Sequence, residues 1–187
     1  MTTLEDAWAW YRAVGEAAKR LAHLGKYWDS FPWGCDEEWV KRLQKDNALR
    51  HLRTEELSKD ATLIQEGLDD LAVLVLFSVF EASVRDVVSE QVRPEVEQLK
   101  HPSLKTAGAE VIQAVAEGSF FRILEPFKSP GTNDLVEQVN QVRRYRNWVA
   151  HGRRPEMKPD ALVQPKEAYQ RLKALLAVIR PPTPASS

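Results

Sequence analysis

The run LAVLVLFSVF, Leu71 to Phe80, is the strongest constraint on what this chain can fold into. It lies in a stretch from about Leu68 to Val92 that reads as one long helix whose first half is apolar on every side. A helix without a polar face has to be surrounded by other elements. The run is about half as long as a membrane-spanning helix needs to be, so those surroundings are expected to be protein and not lipid.

The rest of the chain supplies them, and it too is helical. Leu4, Trp8, Tyr11, Val14, Ala18 and Leu21 recur at three- and four-residue spacing, with Thr2 and Glu5 placed as a capping box and Gly25 as terminator. YWDSFPWG breaks that pattern at Pro32 and Gly34. A second amphipathic stretch follows, with Asp36 as cap and Trp39, Val40 and Leu43 facing inward. A short helix is expected from Thr54, and Pro94 is expected to end the central one. Ser103 to Glu117 is a further helix closed by Gly118, and FFRILEPFKSPG is an irregular stretch or single turn. Asn133 caps a helix that Gly152 terminates; a proline-rich loop leads to Lys166–Arg180, the last helix, and the tail PPTPASS is expected to be disordered. No stretch alternates at period two. The expectation is an all-α bundle with an N-terminal helical extension at 1–53, a helical core at 54–180 and a tail at 181–187.

The chain has 187 residues and a net charge of -1, so no global field draws it to nucleic acid or membrane, and any such attraction must be local. Cys35 is the only cysteine, which removes a disulfide framework and a thiolate zinc cluster. His23, His51 and His101 have no mutual ligand spacing, so neither metal nor cofactor is expected. The opening MTTLEDAWAWYR does not read as a secretory signal, and the expected setting is the cytoplasm, away from membrane. Asp69 and Asp70 read as favourable charges near the start of the central helix. Five of the six tryptophans precede residue 40, pointing to a large aromatic surface in the N-terminal helices.

The local exception in charge is RRYRNWVAHGRR, Arg143 to Arg154, with five arginines and no acid. Projected on a helix, Leu135, Val139, Val142 and Val149 form an apolar stripe with Arg146 in its middle. A guanidinium there must meet a carboxylate inside the bundle or open onto a cleft or subunit interface. Glu81, embedded in the apolar part of FSVFEASVRDVV, is the candidate internal partner, in which case His151 is only a polar residue at the helix C-terminus. Both readings stand on geometry alone. Tyr145 and Trp148 lie on the far side from Arg146 and read as packing residues, and Arg144 projects away from the cleft into solvent.

Arg146-Asn147-Trp148-Val149-Ala150-His151, with Gly152 after it, resembles the R-x4-6-H motif of the HEPN superfamily. LVLFSVFEASVRDVV, some sixty residues upstream, is similar to the central helix of HEPN domains, and the similarity covers roughly Thr54 to Arg180. The resemblance implies a HEPN-like helical bundle acting as a metal-independent endoribonuclease, in which two protomers of a homodimer form one composite cleft. It makes His151 the general base or acid, Arg146 the stabiliser of transition-state charge, and Asn147 the residue that orients the phosphate or the imidazole. Arg143, Arg153 and Arg154 suit RNA-backbone contacts, with Glu81 as a supporting ion-pair partner. The biological setting it implies is a prokaryotic toxin or antiviral defence effector, with an antitoxin or companion defence protein as further partner. Members controlled by modification carry a tyrosine two residues after the histidine, where this chain has Arg153. Two other readings remain: a non-catalytic HEPN module that binds RNA or assembles with a partner, and a helical interaction protein in which Arg146 and Glu81 form a structural pair.

Overall fold

A computed structural model describes residues 1–46 and 51–180, and the expected disordered tail at 181–187 lies outside them. The protein is all-α: seven α-helices and three short 3-10 turns, with no strand among the described residues. In order these are α1 (Leu4–Tyr27), a turn at Trp28–Ser30, α2 (Glu38–Lys45), α3 (Thr54–Glu97), α4 (Pro102–Glu117), α5 (Phe120–Leu124), a turn at Glu125–Phe127, α6 (Asn133–Ala150), a turn at Pro155–Met157, and α7 (Pro165–Ile179).

Prolines start α4 and α7, where the missing N–H would have had no intrahelical partner. The box that caps α1 is one residue later than the sequence pattern implied. The Asp6 amide donates to Thr3 Oγ1 at 3.1 Å and the Thr3 amide to the Asp6 carboxylate at 3.3 Å, and α1 continues past Gly25 to Tyr27. Thr54 opens one continuous helix of 44 residues instead of a separate short one, and Pro94 sits inside it. A proline so close to the C-terminus of a helix removes one hydrogen bond, with a single turn still to be held.

Contacts group the chain into two units, Met1–Trp8 with Asp70–Ser187, and Ala9–Asp69, a division that runs through α1 and α3. In the larger unit the core is built on Val73, Leu76, Phe77, Phe80 and Val84 of α3. Phe120 meets Phe77 and Phe80 edge-on at 5.6 and 5.8 Å, and α6 and α7 pack on each other and close the core through Val139, Val142, Leu172 and Leu175. The apolar run is not wrapped on every side: Leu71 is 47% exposed and Ser78 faces solvent.

In the smaller unit α1 and the first half of α3 approach closely at Gly25, where a Cβ would stand 3.0 Å from Ser58 Oγ and 3.1 Å from Leu57 Cβ. Trp28 is buried, donates to the Leu52 carbonyl at 3.0 Å and packs edge-on against Trp33. Of the three positions on α2 expected to face inward, Val40 is buried and Leu43 half-buried. Trp39 is 52% exposed, its ring edge-on to Phe31.

Candidate functional site

α6 carries the basic stretch and ends in a complete Schellman motif. The Gly152 amide donates to the Val149 carbonyl at 3.0 Å and the Arg153 amide to the Trp148 carbonyl at 2.9 Å, with Gly152 in the left-handed region at φ +75°. Glycine tolerates that geometry because it has no Cβ. Arg153 follows at φ +55°, a conformation that a side chain disfavours, and it is held there by its side-chain partners. The guanidinium lies 5.4 Å over the Trp148 ring and pairs with Asp70 of α3. It thus takes the place of the apolar contact that often accompanies this motif. Trp148 in turn donates from Nε1 to the Arg154 carbonyl at 2.9 Å.

Asp70 also accepts from the Tyr145 hydroxyl at 2.7 Å. It lies in the interior of α3, sixteen residues from its start, so its role is to anchor the end of α6 and not to complement a helix N-terminus. Asp69, beside it, accepts from Tyr11 at 2.9 Å; burial, then that bond, pushes the Tyr11 phenol up to about 12. Tyr145 and Trp148 are buried in the core, as their projection implied.

Arg146 is half-buried on the edge of this core. Its guanidinium lies 5.5 Å over the buried Phe77 ring and donates from Nη1 to Asn147 Oδ1 at 3.0 Å. Its Nε is buried and has no hydrogen-bond partner among the described residues. The expected pair with Glu81 is not formed. Glu81 is taken by Arg85, one helical turn on, at 2.7 Å, and Arg85 also donates to the carbonyls of Val115, Ala116 and Gly118, which ties α3 to the end of α4. The i,i+4 neighbour wins because it reaches the carboxylate with no loop to close. The cation on Phe77 is held by the ring's negative face, not by a carboxylate.

His151 is the C-cap residue; its amide donates to the Asn147 carbonyl at 3.0 Å, and its imidazole is exposed with no hydrogen bond among the described residues. Arg143 is half-buried, donates from Nε to the buried Asn140 side chain at 3.3 Å and lies 5.3 Å over Phe121. Burial pushes its guanidinium below the ordinary range, and the Arg144 cation adds to the shift. Arg144 is exposed and bound to Glu137, while the Arg154 side chain is exposed.

The fold therefore brings Arg143, Arg146, Asn147 and His151 into sequence along the last turns of α6 and diverts Glu81 and Arg153 to internal partners. Sequence reasoning missed Asn140, Asp70, Arg85 and Phe121. A polar residue in the apolar frame of α6 was the available signal for Asn140, and i,i+4 spacing the signal for Arg85.

His23, His51 and His101 are all exposed, and among the described residues no group of three or more histidine, cysteine or acidic side chains is placed to hold a metal ion. Nor is any described helix long and apolar enough to cross a membrane. Compared with known proteins, the chain matches no family model, no curated protein and no solved structure.

Proposed function

We propose that this chain is a HEPN-type, metal-independent endoribonuclease that acts as a homodimer. The reading rests on Arg146: a half-buried guanidinium without a carboxylate partner among the described residues, five positions before an exposed imidazole at the helix end. A cation withdrawn from water needs a compensating anion. An RNA phosphodiester supplies one, and a planar fork of N–H donors suits its oxygens.

Cleavage without metal uses the 2′-hydroxyl as nucleophile, with a base to take its proton, a donor for the pentavalent phosphorane and an acid for the departing 5′-oxygen. His151 serves as base or acid, Arg146 stabilises the phosphorane, and Asn147 fixes the guanidinium through the bond at 3.0 Å. Base and acid act on opposite sides of the phosphorus. One chain offers one imidazole at this motif, so the second comes from a partner copy in a HEPN-like dimer. The products are a 2′,3′-cyclic phosphate and a 5′-hydroxyl. The setting we infer is cytoplasmic, as a prokaryotic toxin or antiviral defence effector restrained or triggered by an antitoxin or companion protein.

A second reading, a non-catalytic HEPN module that binds RNA or assembles with a partner, is favoured by Arg153, whose guanidinium is already committed to Asp70 and Trp148. Incubating wild type and His151→Ala with total RNA in chelator, followed by analysis of the ends, separates the two. Cleavage to cyclic-phosphate ends by wild type alone supports the enzyme. RNA bound but left whole by both supports the module.

A further inference from the structure

We propose that the exposed ring of Phe121, flanked by Arg143 and Lys128, is a stacking subsite for a nucleobase of single-stranded RNA next to the cleaved phosphodiester. This inference rests on the ribonuclease reading above and assigns it a substrate contact.

Phe121 is placed outward by the packing of its own short helix. Phe120, Ile123 and Leu124 of α5 are buried and take the core-facing positions, which leaves the intervening ring 37% exposed. An exposed phenylalanine at that point contributes little to the core, yet it gathers two cations: Lys128 Nζ stands 5.3 Å from the ring centre and the Arg143 guanidinium 5.3 Å. Lys128 is paired with Glu125 at 2.6 Å. Arg143 has no carboxylate partner among the described residues. Its orientation is set by the buried Asn140, whose Oδ1 accepts from Nε at 3.3 Å, so the guanidinium is presented and not loosely solvated.

Arg143 lies three residues before Arg146 on the same side of α6, about 4.5 Å away along the helix axis, with His151 about 7.5 Å beyond Arg146 at 1.5 Å per residue. Phe121 thus adjoins the first of two guanidinium groups that have no carboxylate partner among the described residues and that precede the imidazole along α6. Single-stranded RNA is recognised by that combination, unstacked bases on aromatic rings or guanidinium planes beside cations on the backbone. In this arrangement Arg143 and Arg146 take successive phosphates while the base attached to the outer one lies on Phe121. Every base has a π-face, so the subsite favours single strands over duplex without selecting a sequence.

The test uses the full chain and a 2′-O-methyl dodecanucleotide, which cannot be cleaved by 2′-hydroxyl attack, in chelator. Phe121→Ala should weaken binding roughly five- to 150-fold, Phe121→Tyr should restore it, and Arg143→Gln should lower the slope of log affinity against log salt by about 0.7. Making the strand abasic at each position in turn should, at one position, weaken wild-type binding and leave Phe121→Ala unaffected. If wild type binds and Phe121→Ala binds equally well, or if no abasic position distinguishes the two proteins, the subsite is wrong and the ribonuclease reading stands. If wild type does not bind the strand at all, the subsite is wrong, and if it also leaves unmodified RNA whole, the ribonuclease reading falls with it.

Discussion

Replacing Asp70 by alanine removes the acceptor of the Tyr145 hydroxyl and the counter-charge of Arg153 in one step. The Asp70 side chain is 17% exposed and Tyr145 is buried, so their bond at 2.7 Å is a charge-assisted one shielded from water. Such a bond contributes about 1.5–3 kcal/mol. The Arg153 side chain is 52% exposed, which limits its ion pair to about 0.2–1 kcal/mol. Asp70→Ala should then cost about 2–4 kcal/mol, a fall in Tm of roughly 4–16 °C for a chain of this size. Asp70→Asn keeps an oxygen for the tyrosine and should cost about 1 kcal/mol. Arg153→Ala should cost less than Asp70→Ala, and in the Asp70→Ala background it should cost almost nothing, because the two share one interaction. Urea unfolding followed by circular dichroism measures all four. Equal losses for Asp70→Ala and Arg153→Ala, or strictly additive ones, would mean that the carboxylate does not join the tyrosine to the loop after His151.

Arg146→Ala should be close to neutral for stability, since the lost contact with Phe77, about 0.5–2 kcal/mol, is offset by removal of a buried Nε with no hydrogen-bond partner; global unfolding of this variant would show that the guanidinium is needed for the fold and refute that balance. Gly108→Ala places a Cβ 2.5 Å from Val96 Cγ1, and that overlap outweighs the helix-propensity gain of about 1 kcal/mol, so Tm should fall in the single variant and recover when Val96→Ala is added. The Glu5 carboxyl is held below its ordinary range, first by its hydrogen bond from Lys173, so the stabilisation is present above the unfolded carboxyl range and fades as pH falls through the lowered folded value. Lys173→Met should move the Glu5 midpoint upward in an NMR titration, and an unchanged midpoint would show that the pair is not formed in solution.

What the sequence made legible was local. Pro102, Pro165, Gly118 and Gly152 mark helix ends through backbone chemistry that depends on one or two residues, and they bound α4, α6 and α7 closely. Tyr145 and Trp148 could be assigned to packing because helical spacing sets them apart from Arg146. Asp70 could not be placed, because its partners are 75 and 83 residues away in the chain and no periodicity encodes such a pairing. Arg85 is within reach of a local rule, since i,i+4 spacing gives Glu81 a nearer partner than Arg146 on another helix. Phe121 is obscured for another reason. A phenylalanine among apolar neighbours reads as core until the backbone shows which of two adjacent aromatic rings faces inward.

The basic stretch contains two kinds of arginine, and the distinction bears on what the patch can attract. Arg144 is neutralised by Glu137 and Arg153 by Asp70, so these two add little to the long-range field. Arg143, Arg146 and Arg154 have no carboxylate partner among the described residues, in a chain whose total charge is -1. The imbalance is therefore local, and two of its three members are half-buried on aromatic rings, where an approaching anion meets a lower dielectric than at open surface. The same end of α6 is fixed by the Schellman bonds, the Trp148 indole and the Asp70 bridge, while the imbalance beside it is left uncompensated. A packing role explains the fixed backbone and the seats of Arg143 and Arg146 on Phe121 and Phe77, but it assigns no counter-charge to either guanidinium. Under the proposed function, their place beside the exposed imidazole of His151 is where the phosphodiester is received.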